Sequence, residues 1–292
     1  MLTVAEAFEK FKKKISVPTQ RESQDASRRQ QEIRALMDKH FDVERDFLTG
    51  SYARHTKTKP LKDVDIFCVL GDKERHYRDK APAELLNAVA VVLRDKYGKE
   101  NVSVQRRSVS VNFGTTEDEQ VMSFDVVPAF DAGKHYEMPD TKSSEQWTKT
   151  DPEIHKEKAA AKHASYSFEW KGLVRMIKTW NRVHGKPVKP SFLLEIMSLE
   201  LFSEDFHNDY RYEVKGFFSS AAERIFDDWP DPAGLGQHVS DGMTYSEKQS
   251  AQKALRDAET VCLHAIQLES RGKTGESLER WQQLFGSQFV KS

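Results

Sequence analysis

Five consecutive apolar residues, Ile66-Phe67-Cys68-Val69-Leu70, are opened by Asp63-Val64-Asp65. The run is too short for an independent helix and rich in residues that favour extended backbone, so it predicts a buried strand over 64–70. Successive side chains on a strand leave by opposite faces. Asp63 and Asp65 therefore share one face while Val64 and Ile66 enter the core. Two carboxylates held that close repel each other unless a cation stands between them, and hard divalent cations such as Mg2+ take oxygen ligands.

Gly50-Ser51 lies upstream, with eleven residues between Ser51 and Asp63. A glycine lets a phosphate approach the backbone, and the serine hydroxyl and amide can donate to phosphate oxygens. A helix beginning over Tyr52 to Thr56 would add a favourable dipole. Phosphate cradle plus metal-binding carboxylates is the equipment of phosphoryl transfer, where catalysis is mostly positioning and charge neutralisation. Alone, an Asp-x-Asp is commonly a solvated strand edge and a Gly-Ser a simple turn. Their combination, with an apolar strand behind, carries the reading.

Charge narrows the ligand. The 45 Lys and Arg nearly balance the 46 Asp and Glu, for a net charge of −1. A protein that grips long nucleic acid nonspecifically usually carries a basic excess. Here the local positive charge, Arg54, His55, Lys57, Lys59 and Lys62, falls in the spacer beside the carboxylates. That favours a nucleoside triphosphate, ATP among them, over a long polyanion. With 38% hydrophobic and 31% charged residues the chain reads as soluble and globular, long enough at 292 residues to bury a core in two lobes. No uncharged run approaches a membrane span, and the first residues carry no secretory pattern. Cys68 and Cys262 are too few and too far apart for a disulfide framework, which fits a reducing cytoplasm.

The rest of the chain frames this centre. Helices are expected over 2–16 and 20–40, the second with Ile33, Leu36, Met37 and Phe41 near helical spacing. Pro82 to Tyr97 reads as a helix stopped by Gly98. Alternation in Val102-Ser103-Val104 and Val109-Ser110-Val111-Asn112-Phe113 predicts strands, followed across a polar turn (114–119) by a run over 121–130 that contains Asp125. Residues 131–151 read as an irregular polar loop able to border a substrate pocket. Asp151-Pro152 opens one long helix to about His184, and further helices are expected over 192–202, 214–226, 246–271 and 275–286. The pattern is α/β (α+β): a mixed sheet with flanking helices over 1–150 and a helical lobe over 151–292.

The set Gly50-Ser51, spacer, Asp63-x-Asp65 on a strand resembles the signature of the polymerase-β-like nucleotidyltransferase superfamily, in which a third carboxylate sits on a neighbouring strand. Asp125 matches it; a charge inside a buried strand is costly unless paired or metal-bound. The second lobe sharpens the likeness. Leu173-Val174-Arg175-Met176-Ile177-Lys178-Thr179-Trp180-Asn181, Lys189-Pro190-Ser191-Phe192-Leu193-Leu194-Glu195-Ile196, Asp228-Trp229-Pro230-Asp231-Pro232 and Trp281 to Gly286 look like the branch of cGAS-like enzymes, oligoadenylate synthases and bacterial CD-NTases. The carboxy-terminal motif and the compact length are most similar to the bacterial enzymes that make cyclic oligonucleotide signals in anti-phage (CBASS) operons.

The resemblance implies an enzyme that joins nucleoside triphosphates into a cyclic di- or trinucleotide and releases pyrophosphate. Asp63, Asp65 and Asp125 would hold two Mg2+ ions, with Mn2+ able to substitute, and Gly50 and Ser51 would grip phosphate. Lys178 would reach the triphosphate from the helical lobe, Ser191 would add a phosphate contact, and Phe192 would stack on a base where the family often has tyrosine. It also implies an activating or regulatory CBASS partner protein. Two rivals stay open at this level: a template-independent polymerase that elongates RNA, and a non-catalytic nucleotide-binding scaffold. Other signals fall away. Arg271-Gly272-Lys273-Thr274-Gly275 echoes a P-loop, but Gln267 stands where its first glycine belongs. His155 and His163, eight apart on a helix and so about 12 Å distant, cannot share one zinc.

Overall fold

The computed structural model describes residues 2–16, 20–59, 63–114, 123–143, 146–202 and 205–290. Lys62 of the basic spacer, residues 115–122 (the polar turn after Gly114 and the start of the Asp125 run) and Ser144-Glu145 lie outside the described residues. The chain divides into two compact units: Pro18–Lys156, and a second made of Met1–Val17 with Glu157–Ser292.

The first unit is built on a seven-stranded mixed sheet. Helix α2 (Gln20–His40) leads into β1 (Val43–Thr49), a single helical turn α3 (Gly50–Ala53) and β2 (Asp63–Leu70). Then come α4 (Pro82–Tyr97), β3 (Val102–Val104), β4 (Val109–Asn112), β5 (Ser123–Asp131), β6 (Tyr136–Pro139) and β7 (Trp147–Thr150). The order is β1-β2-β5-β4-β3, with β6 on β5 and β7 on β6. Only the central pair β2 and β5 is parallel among the described strands. Strands buried in the middle of a sheet should be nearly continuous apolar runs, and these two are.

Alternation sorts the sheet into two faces. Val64, Ile66, Cys68 and Leu70 from β2, with Phe124, Val126 and Phe130 from β5, pack against Leu85, Leu86, Val89 and Leu93 of α4 and Ile33 and Met37 of α2. The opposite face holds a smaller cluster of Phe67, Val69, Ala129 and Tyr136, and at its other end the aspartates. The stretch 131–151, expected as an irregular loop, carries two antiparallel strands, β6 (Tyr136–Pro139) and β7 (Trp147–Thr150). Its strands are short and polar, so the sequence pattern hides them; pairing to β5 and burial of Tyr136 and Trp147 create them. Asp140 anchors the hairpin, accepting from Arg106 Nε at 2.6 Å and Arg107 Nε at 2.8 Å.

The second unit is helical. Helix α5 (Pro152–Ser165) bridges into it, and α6 (Trp170–Val183), α7 (Ser191–Leu201), α8 (Tyr210–Arg224), α9 (Tyr245–Ser270) and α10 (Thr274–Phe285) complete it. The long helix expected to run to His184 is broken. Ser167 and Phe168 adopt left-handed backbone, with φ 50° and 61°, so α5 ends at Ser165 and α6 restarts at Trp170. No glycine or proline marks that break. Helix α1 (Val4–Ser16), grouped by the sequence reading with residues 1–150, buries Phe8 and Phe11 against Trp281, Phe285 and Phe289 in this unit. No helix among the described residues is long and apolar enough to cross a membrane.

Candidate active site

Asp65 on β2 lies directly opposite Asp125 on β5, and Asp63 opposite Ser123. The parallel register brings all three aspartates to the amino-terminal ends of the two central strands, on one face. Asp63 is exposed and its Oδ1 accepts from Ser123 Oγ at 2.9 Å. Asp125 is held deeper. Burial pushes its carboxyl above the ordinary aspartate range, a hydrogen bond from Ser110 pulls it down, and the charge of Asp63 adds to the rise. Ser110 stands across from Asp125 on β4.

Gly50 and Ser51 open α3 immediately after β1, whose Thr49 pairs with Asp65. Gly50 has φ +63°, and a Cβ built on it would fall 1.7 Å from Asp65 Oδ2. Any side chain there would expel the carboxylate, so glycine is demanded by both backbone and neighbour. The turn closes with Arg54 N donating to Gly50 O and Thr56 N to Ser51 O, at 3.2 and 3.0 Å. Of the basic spacer, Lys57 lies over the Tyr52 ring, 3.9 Å from its centroid.

These residues fit a hard divalent cation. The donors are all carboxylate oxygens. One of them, Asp125 Oδ1, is shielded from solvent and meets no hydrogen-bond partner among the described residues. Such an atom is costly to leave unsatisfied, and a cation would satisfy it. The three carboxylates are spread more widely than 4.8 Å; among the described residues the trio that gathers within that distance is Asp228, His238 and Asp241. That trio is exposed and lies in the helical unit, where His238 Nδ1 comes to 3.8 Å from Asp228 Oδ1.

The helical unit collects Lys178, Ser191 and Phe192. Lys178 on α6 is buried and donates to Glu195 Oε1 on α7 at 2.8 Å. Ser191 is the exposed first residue of α7, and half-buried Phe192 packs against the helical core. Ser191 and Glu195, four apart, stand one turn above the other on α7. Asn181 fixes the α6–α7 connection, accepting from Val188 N at 3.0 Å and donating to Val188 O at 2.9 Å. The sequence reading assigned no role to Ser110, nor to Glu195 and Asn181, which stand inside the motifs it singled out. The alternation Val109-Ser110-Val111 exposes Ser110 to the aspartate face, and a carboxylate inside the apolar stretch Phe192 to Met197 was a legible request for a cation.

A family model described as Second Messenger Oligonucleotide or Dinucleotide Synthetase domain matches residues 2–162. A probable cyclic nucleotide synthase of Bacillus cereus (strain VD146) is 30% identical over 275 residues, 82% of this chain and 80% of its own length. Escherichia coli MS115-1 CdnC, solved with ATP, is similar with a TM-score of 0.74 at 20% identity over 99% of both chains. The same protein solved in complex with HORMA gives 0.72 at 19% over 98% of both. Vibrio cholerae DncV, a cyclic AMP-GMP synthase solved with its linear intermediate 5′ pppA(3′,5′)pG, gives 0.68 at 14% identity over 85% of this chain and 69% of its own. At such identities the structural likenesses establish the fold, a polymerase-β-like lobe with a helical lobe.

Proposed function

The chain belongs to the Second Messenger Oligonucleotide or Dinucleotide Synthetase family, and from that membership we propose that it condenses ribonucleoside triphosphates into a cyclic di- or trinucleotide through a carboxylate-held metal site at Asp63, Asp65 and Asp125. It is an enzyme, a nucleotidyltransferase of the bacterial CD-NTase kind. The observation that carries the metal site is the pairing of Asp65 with Asp125 across parallel strands, with Asp125 Oδ1 buried and without a hydrogen-bond partner among the described residues.

Asp63 and Asp65 would hold cations together with the incoming triphosphate, and Asp125 would complete the site beside the attacking ribose hydroxyl. Divalent cations, Mg2+ or Mn2+, supply there a lowered hydroxyl pKa and neutralisation of the charge that leaves as pyrophosphate. Gly50 and Ser51 offer backbone and hydroxyl donors to phosphate oxygens, with no side chain at Gly50 to obstruct Asp65. Lys178, oriented by Glu195, contributes a cation for the triphosphate; Ser191 adds a donor and Phe192 a stacking face. ATP is the first substrate to test, since CdnC was solved with it. The proposed setting is anti-phage signalling under a regulatory partner protein, an arrangement supported by the complex of CdnC with HORMA.

The test is incubation of purified protein with all four labelled ribonucleoside triphosphates and Mg2+ or Mn2+, then phosphatase and mass spectrometry. A phosphatase-resistant cyclic product is expected. Asp63→Asn with Asp65→Asn should abolish it while leaving the melting temperature at or above wild type; synthesis retained in that variant sinks the metal-site assignment. Linear product alone, or elongation of added tRNA, would favour an RNA-extending enzyme instead.

A further inference from the structure

Asp125 stands on β5 between two lateral neighbours with which it pairs directly, Asp65 on β2 and Ser110 on β4. Side chains paired across antiparallel strands leave by the same face, with Cβ atoms about 4.5–5.5 Å apart. One neighbour of the Asp125 carboxylate repels it, and the other donates a hydrogen bond to it. Ser110 is 6% exposed and stands between the buried Val109 and Val111. A hydroxyl in such a place is unfavourable unless a partner answers it, and a β-branched residue would suit the strand better. The carboxylate is that partner, yet its Oδ1 meets no hydrogen-bond partner among the described residues. Asp63 is the contrast. It is exposed, so water can replace the 2.9 Å bond that its Oδ1 accepts from Ser123 Oγ.

We propose that Ser110 is a positioning residue of the metal site: its hydroxyl fixes the rotation of the Asp125 carboxylate and leaves Oδ1 for the cation. The proposal rests on the metal-site reading above. The terminal torsion of an aspartate is broad and roughly two-fold, so its rotamer does not decide which oxygen faces which neighbour. A donor on one side does. With Ser110 holding the carboxyl from β4, the remaining oxygen is available to a cation that also offsets the repulsion from Asp65. A neutral hydroxyl suits this task better than lysine or arginine, whose charge would compete with the cation for the carboxylate. Groups that hydrogen-bond a metal-binding carboxylate typically govern metal affinity or activity by about 10–100-fold. Ser110 touches neither metal nor substrate in this assignment and acts through Asp125.

The test is titration of nucleotide-free protein with Mn2+, the free ion followed by electron paramagnetic resonance, in wild type, Ser110→Thr, Ser110→Val and Asp125→Asn. Threonine and valine nearly match in shape and differ at the hydroxyl. Any crowding from added volume is therefore common to both variants. Ser110→Thr should bind Mn2+ like wild type, and Ser110→Val should lose about tenfold in affinity. Equal affinities in these two variants, tight or weak, overturn the assignment. Asp125→Asn separates this failure from failure of the metal site itself. If wild type binds Mn2+ no better than Asp125→Asn, the metal role of Asp125 falls and Ser110 falls with it. If wild type binds better while threonine and valine stay equal, the metal site stands and only Ser110 is lost. In turnover, Ser110→Val should lower kcat and leave the KM for ATP near wild type, because Ser110 acts only through Asp125. A raised KM with kcat preserved would make Ser110 a substrate contact and overturn the positioning role.

Discussion

A Cβ at Gly50 would lie 1.7 Å from Asp65 Oδ2, on a backbone with φ +63°. Gly50→Ala is therefore penalised twice. Left-handed backbone costs about 1–2 kcal/mol, and the methyl displaces a carboxylate from its place opposite Asp125. A misplacement of that size costs about 100-fold in rate. Gly133→Ala is the matched control: φ is +83° and nothing among the described residues stands within 4 Å. The control should lower the melting temperature and spare product formation, whereas Gly50→Ala should lose both; equal activities would remove Gly50 from the site. Asp125 makes a pH prediction. Its folded pKa is raised, so the folded protein binds this proton more tightly than the unfolded chain, and the ionised carboxylate destabilises the metal-free fold above the folded pKa. Asp125→Asn should thus raise the metal-free melting temperature at pH 7. The gain should shrink as pH falls through the raised pKa and vanish below the ordinary value of 3.8. Thermal melts from pH 3 to 8 decide it, and a gain undiminished at pH 3 would assign the effect to packing. At this scale the sequence was informative where chemistry constrains residue type. Three aspartates and a glycine announce themselves, while for Ser110, a neutral partner of Asp125, alternation gives the face and only the register gives the neighbour.

The pair formed by Lys178 and Glu195 couples α6 to α7, with both side chains below a tenth exposed. Breaking a buried pair from one side leaves an uncompensated charge and typically costs about 3–5 kcal/mol, whereas replacing both partners with apolar residues is often neutral. Lys178→Met and Glu195→Leu should each lower stability by about 3 kcal/mol, and the double variant should recover most of it. If the pair serves the triphosphate, the stable double variant should still bind ATP poorly. Denaturant melts and ATP titration on the same four proteins separate the roles, and wild-type affinity in the double variant would leave the pair purely structural. Helix α4 and strands β2 and β5 were legible because long periodic or continuous apolar patterns over-determine them. The break between α5 and α6 was not, since Ser167 and Phe168 carry no breaker signal; they are exposed and left-handed, and the buried residues are those on either side, Tyr166 and Trp170. Buried Tyr166 donates to Glu213, and buried Trp170 to Ser198 O. The β6–β7 hairpin was hidden for the converse reason: its strands owe their existence to a neighbour, not to their own composition.

At the scale of the whole molecule, the two cores follow from the apolar content, but their membership does not follow chain order. Amphipathic α1 has a clear apolar face, Val4, Ala7, Phe8, Phe11 and Ile15, yet nothing in that pattern says which core it joins. The answer comes from shape. Phe8 meets Trp281 edge-on at 4.9 Å and Phe289 at 5.3 Å, closing an aromatic cluster made almost wholly by the last helix and the segment after it. A residue eight positions from the start is thereby part of the unit that ends the chain. Truncating a fully buried phenylalanine costs about 3–5 kcal/mol. Contiguous cooperative regions can open separately when one is weakened. Phe8→Ala should therefore accelerate amide exchange through α6 and α10, remote in sequence from the substitution. The amides of β2 and β5, although nearer in sequence, should keep their protection. Exchange followed by mass spectrometry reads both regions in one sample. Parallel loss of protection in the sheet and the helices would mean that the two units unfold as one, and that stability in this fold is a single quantity and not two.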